Sequence, residues 1–294
     1  MPTKRTKTKP SISIVGPGNL GSALATELAR IGYSVRQIVS RRNSAGLSVA
    51  RATARRVKAQ HVFLGEAILD SDIVWITVPD DAIAQVARQL AATQSWKGKI
   101  ILHPSGALTS DELSALKKKG AAVASAHPMM TFVQGRRPRW DGVPFDIEGD
   151  DVAVRAAHQI ASELGASPFI LKKKLKTLYH AFGSFASPLV IALMSTMEQV
   201  AEAAGVPPAQ AKKMIWPLLC QTLDNYMKRD AANAFSGPLV RGDVQTVRKH
   251  LAELKLTPEA REVYVALARA AIERLPVKNK EGLKKELTRF RPRG

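Results

Sequence analysis

The strongest constraint in this chain is a hexapeptide near its start, Gly16-Pro17-Gly18-Asn19-Leu20-Gly21. A short apolar run, Ser11-Ile12-Ser13-Ile14-Val15, precedes it and stops at a glycine. Apolar residues at helical spacing follow it, from Leu20 to Ile31. A parallel strand covered on both faces reads as such a run, and a helix lying on a sheet reads as such spacing. In that setting G-x-G-x-x-G has a mechanical meaning. The first glycine permits a tight turn, the second lets the backbone approach a pyrophosphate, and the third lets helix and strand pack closely. The free N–H groups and the dipole at the helix start favour an anion. A glycine-rich turn with no ligand would carry the same letters, but it does not need a strand before it and a helix after it.

The rest of the N-terminal half keeps this alternation. Strands are expected at 35–40, 72–78, 99–103 and 121–126, with helices at 45–56, 83–92 and 111–119. A further strand-helix-strand excursion is expected at 143–148, 152–164 and 168–171. The pattern predicts an α/β fold, a doubly wound and mainly parallel Rossmann sheet. From Leu175 onward the spacing is helical throughout: 175–204, interrupted by Pro188, then 210–228, 244–256 and 258–275. The expected organisation is a Rossmann domain over 10–172, a boundary in Lys172-Lys173-Lys174, and an all-α domain over 173–276. Residues 1–9 and 277–294 are expected to be basic tails.

These tails hold much of the net charge of +19. They read as a solvated fringe. No aromatic interleaving or nucleic-acid motif accompanies them, so nucleic acid is not an expected partner. The lone cysteine, Cys220, excludes an intramolecular disulfide and suits a cytoplasmic location. The basic N-terminus lacks an apolar segment of the kind a secretion signal has, and no membrane span is expected. No cluster has metal-ligand spacing.

The end of the second strand bears on cofactor choice. An NAD site places Asp or Glu there to bond the ribose 2′-hydroxyl. This chain has Ser40-Arg41-Arg42 instead. A hydroxyl and two guanidiniums suit a 2′-phosphate, although the same residues also read as a solvated basic turn. NADP is the expected cofactor. Other residues at the carboxyl edge of the sheet join the candidate site: Val78, Pro79 and Asp80 after one strand, His103 and Ser105 after the next, and His127 after the third. Asp80 also reads as a helix cap, and so does Asp243 in the Ser236–Asp243 turn.

Seven stretches carry a family resemblance: GPGNLGSALATEL, VSRR, ITVPDDAI, HPSGAL, SAHPMMTF, LYHAFGSFAS and SGPLVRGDVQTVRKHL. Together they run from Ile14 to Leu251. The chain resembles the Rossmann-like proteins that carry a C-terminal helical domain of unknown function. These are grouped as NADP or deazaflavin-coenzyme oxidoreductases and are related to pyrroline-5-carboxylate reductase and the 6-phosphogluconate dehydrogenase-like proteins. The resemblance implies NADP, with a deazaflavin coenzyme as the lesser alternative. It also implies a homodimer built through the helical domain. Where such proteins often have Ser-Asn, this chain has Ser187-Pro188. Proline lacks the amide, so the role of that asparagine does not carry over, and Ser187 or His180 is left to serve in its place.

The expected function is an NADP-dependent oxidoreductase that moves a hydride between nicotinamide and a small carbonyl or imine substrate. The alternative is a non-catalytic NADP-binding sensor or regulatory protein. Such a reduction needs a proton donor, and histidine titrates near neutrality. His127 and His180 are the expected catalytic pair, in a cleft between the two domains.

Overall fold

The computed structural model describes residues 9–42, 45–66, 68–133 and 137–289. It contains two compact units, one ending at Ser184 and the other beginning at Phe185.

The first unit is built on eight strands: β1 (Ile12–Val15), β2 (Val35–Ser40), β3 (Gln60–Phe63), β4 (Ile73–Ile76), β5 (Ile100–His103), β6 (Ala122–Pro128), β7 (Pro144–Gly149) and β8 (Ser167–Ile170). They form one sheet in the order β3-β2-β1-β4-β5-β6-β7-β8. The pairs are parallel except β6 with β7, which is antiparallel. The helices of this unit are α1 (Asn19–Arg30), α2 (Leu47–Val57), α3 (Asp80–Ala91), α4 (Ser114–Lys117), α5 (Asp151–Glu163) and α6 (Lys176–Ala186), the last running just past its end.

Alternate residues of the strands feed two cores, one on each face. Ile12, Ile14 and Trp75 pack with Leu24 and Leu28 of α1 and Ile160 of α5. Val15, Val74 and Ile76 pack with Ile83 and Leu90 of α3 and with Trp96. This coverage of both faces is why the strands read as continuous apolar runs. Strand order reverses direction between β1 and β4, so the crevice at their carboxyl ends opens there.

The second unit is helical: α7 (Pro188–Ala203), α8 (Pro208–Lys228), α9 (Ala231–Ala234), α10 (Pro238–Arg241), α11 (Val244–Glu253), α12 (Pro258–Arg274) and α13 (Lys280–Thr288). Pro188 takes the first position of α7, where its missing N–H costs no helical bond. Asp243 caps α11, its carboxylate accepting from the Thr246 amide at 3.0 Å.

Three expectations need correction. The boundary does not fall in the three lysines, because Lys176 is fully buried and paired with Asp146 of β7. The stretch 277–289 is not a tail: Val277, Leu283 and Leu287 close a core with Val247, Leu251 and Ile272. Its charges conceal it, since Lys284 pairs with Glu273 and Arg248 with the buried Glu286. Lys9 is likewise held, by Glu163 at 2.6 Å and over the Tyr33 ring. Residues 1–8 and 290–294 lie outside the described residues. Residues 173–203 form one helical stretch that by length and composition alone is long and apolar enough to cross a membrane.

Because Leu283 is fully buried, Leu283→Ala should destabilise the second unit by about 2–4 kcal/mol. Urea unfolding followed by circular dichroism measures this, and an unchanged midpoint would return 277–289 to the status of a tail.

Candidate active site

The glycine loop is shaped by what surrounds it. Gly16 has φ +88, and a Cβ there would come within 2.5 Å of the Val78 side chain. A Cβ on Gly21 would overlap the Thr77 side chain, whose hydroxyl donates to the Gly16 carbonyl at 2.7 Å. The loop is thus clamped between β1 and the end of β4. Helix α1 starts just after Gly18 with no side-chain cap and no acidic residue in its first turn. Its leading N–H groups and positive dipole end suit an external anion. Beside them lies a cavity of about 230 Å3, lined by Gly16, Gly18, Asn19, Ser40, Arg41 and Val78, with Pro79 at its side.

At the end of β2 the three expected residues diverge. Ser40 is buried, and its hydroxyl lies 3.0 Å from His61 Nε2 on β3. Arg41 lines the cavity. Arg42 does not: it holds Glu66 through two bonds of 2.6 and 2.7 Å and lies over the Phe63 ring. Leu20 and Gly21 also stand outside the lining, Leu20 packing against the core. Asp80 is not the cap of α3, a place taken by Pro79. Its carboxylate accepts instead from the Ser105 hydroxyl at 2.8 Å. Ser105 is fully engaged, since the same hydroxyl accepts from the Leu108 amide. Both residues therefore tie the end of β5 to the start of α3.

The histidines separate by environment. His103 is completely buried. Its Nδ1 accepts from the Ser105 amide, so its Nε2 carries the hydrogen and donates to the Thr109 carbonyl at 3.0 Å. Burial pushes its pKa down to about 4. A group that stays neutral to that point is no proton donor near neutrality. His127, the sixth residue of β6, stands opposite Asp146 in the antiparallel pairing with β7. Its Nδ1 lies 2.7 Å from Asp146 Oδ1. The other carboxylate oxygen of Asp146 accepts from Lys176 Nζ at 2.8 Å, and neither Asp146 nor Lys176 has any exposed side chain. Burial raises the pKa of Asp146, but the hydrogen bond from His127 and the charge and hydrogen bond of Lys176 outweigh it and hold the carboxyl below its ordinary range. An ionised Asp146 fixes the hydrogen of His127 on Nδ1 and leaves Nε2 to act.

Nε2 lies close against Gly106. A Cβ added at Gly106 would lie 2.8 Å from it and would overlap the His180 ring. The two imidazoles meet edge to face with centroids 5.8 Å apart. The structure therefore brings His127 and His180 together. It adds Asp146, Lys176 and Gly106, none of which was expected. Phe-Asp-Ile-Glu in β7 reads as a strand with a wet face, and Lys176 reads as one more lysine of a basic linker. Only the strand pairing reveals that both charges are covered.

Residues 3–128 match the Rossmann-like domain, and residues 143–271 match a domain of unknown function, DUF2520. The pairing of domains implied by the motifs is therefore present. Three solved structures share the fold. A putative NADP oxidoreductase from Bacteroides fragilis is 21% identical over 91% of this chain and 99% of its own, with a TM-score of 0.74. An imine reductase from Aspergillus terreus, in complex with NADPH4 and dibenz[c,e]azepine, is 16% identical over 95% of this chain and 100% of its own, with a TM-score of 0.63. A pyrroline-5-carboxylate reductase from Coxiella burnetii is 16% identical over 90% of this chain and 98% of its own, with a TM-score of 0.57. At these identities the likeness is one of fold. No curated protein matches the chain.

Gly106→Ala tests this packing directly. The expected result is a folded protein in which the ring resonances of both His127 and His180 move, because a methyl group there displaces both imidazoles. NMR spectra identical to wild type would mean that the two rings do not pack on Gly106.

Proposed function

We propose that this protein is an NADP-dependent reductase of small carbonyl or imine compounds, with His127 as the proton donor. The observation that carries the reading is an Asp146-oriented imidazole on the same carboxyl edge of the sheet as an uncapped glycine-loop helix. The fold neighbours, two of them reductases of C=N bonds by name, support it.

The first turn of α1 suits the pyrophosphate, and Arg41, which lines the same cavity, suits the 2′-phosphate. When bound, NADPH supplies a hydride to the substrate carbon. The chain supplies the rest. Protonated His127 donates from Nε2 to the nitrogen or oxygen left electron-rich, and Asp146 keeps the ring in the orientation that permits this. The C=N or C=O bond then gains one hydride and one proton, with charge balanced. His180 meets His127 edge to face beside Gly106.

The cofactor half is tested by calorimetry. NADPH should bind more tightly than NADH, and Arg41→Ala should weaken NADPH about tenfold or more while barely affecting NADH. Arg42→Ala should do less, because Glu66 already occupies that guanidinium. Equal wild-type affinities for the two cofactors contradict the reading. The catalytic half is tested by following NADPH oxidation across a panel of imines and ketones. Turnover that His127→Ala abolishes supports it. Tight NADPH binding without turnover on any of them favours the sensor instead.

The second unit bears on assembly. Leu189, Val190 and Ile191 of α7 and Met214, Trp216, Leu218, Leu223, Tyr226 and Met227 of α8 are exposed. So many large apolar side chains on two helices mark an interface, and a second copy of this chain is the proposed cover. Light scattering in detergent-free buffer should give a dimer. A stable monomer, or a protein that stays in solution only with detergent, would overturn this.

A further inference from the structure

A carboxylate on one imidazole nitrogen strengthens the hold of the ring on its second proton. An unshared carboxylate in a dry site would do so strongly, because charges interact more there than in water. A proton donor works best when it does not hold too tightly. Lys176 stands in the position that adjusts this. Its ammonium occupies Asp146 Oδ2 at 2.8 Å while His127 uses Oδ1 at 2.7 Å.

Resting on the reading of His127 as the proton donor, we propose that Lys176 is a positioning residue that loosens the His127 proton by sharing the charge of Asp146.

The other groups around His127 leave this pair decisive. From α6 come Lys176, Tyr179 and His180, from β7 Asp146, and from β5 His103, with Asp80 beyond it at the head of α3. His103 is neutral, since burial lowers its pKa to about 4. Burial raises the pKa of the Tyr179 phenol, which is therefore uncharged too. Asp80 accepts from the Ser105 hydroxyl. A buried ion pair of this kind is weak evidence for stability, because desolvating both ions offsets most of their attraction. Asp146 stands directly across the sheet pairing from His127 with Lys176 on its other oxygen, which is what a tuning role requires and a purely structural role does not.

The test is an NMR titration of the His127 ring in the free protein, run for wild type, Lys176→Met, Lys176→Arg, and the Asp146→Asn/Lys176→Met double variant. Removing the lysine leaves Asp146 to His127 alone, so the His127 pKa should rise by about one unit, a tenfold change in proton affinity. Arginine should restore the wild-type value. The double variant, lacking the carboxylate, should fall below wild type. If Lys176→Met does not fold, the arginine and double variants decide. A folded Lys176→Met with an unmoved titration overturns the proposal, as does a Lys176→Arg variant whose titration moves by as much as the loss of the lysine is expected to move it. The titration needs neither cofactor nor substrate. If the pKa values move as expected while the pH dependence of turnover ignores them, the donor assignment is wrong and the tuning stands. If both move together, the limb at which activity is lost with rising pH shifts upward in Lys176→Met.

Discussion

Asp146 is an aspartate with no water to bond, and much of the candidate site follows from how that requirement is met. A buried carboxylate needs donors on both oxygens, or it costs several kcal/mol to keep. One donor is the ring directly opposite on β6, and the other is the first residue of α6. Meeting the requirement orients His127, draws the start of α6 onto the sheet, and carries His180 one turn later against the His127 ring. The absence of a side chain at Gly106 then leaves room for both rings.

The other half of the site rests on a different constraint, the approach of backbone to an anion. Here the chain withholds side chains rather than placing them. Glycines stand where a Cβ would meet Val78 or Thr77, and α1 begins with neither a cap nor an acid. Hydrogen bonds join the two halves along the edge of the sheet. Thr77 holds Gly16, Asp80 holds Ser105, and Ser125 donates to the Ser105 carbonyl. The edge is one connected rim from the glycine loop to the strand that bears His127.

The glycine loop was legible in the sequence because its physics is local: strand, turn and helix start lie within a dozen residues. Most strands were legible for a similar reason, since burial on both faces leaves an unbroken apolar run. β3 was not, because Gln60-His61-Val62-Phe63 is a short edge strand with only Val62 buried. His127 was visible by type and by its place at a strand end. Asp146 and Lys176 were invisible, since their significance lies in an antiparallel pairing and a helix contact that no spacing encodes. Arg42 shows the reverse failure. Its charge suggested a ligand role that Glu66, more than twenty residues away, occupies. α13 was hidden because charged residues outnumber its two core leucines.

The claim that ties these halves together is that cofactor and imidazole serve one reaction. The most direct measurement is a crystal structure of the NADPH complex. A hydride reaches a carbon about 3–3.5 Å away, and the proton goes to the neighbouring atom over one hydrogen bond, so the nicotinamide C4 should stand about 7 Å from His127 Nε2. A nicotinamide ring at that distance, facing His127, is the predicted result. A ring turned away from His127, or more than about twice that distance from it, would contradict the account.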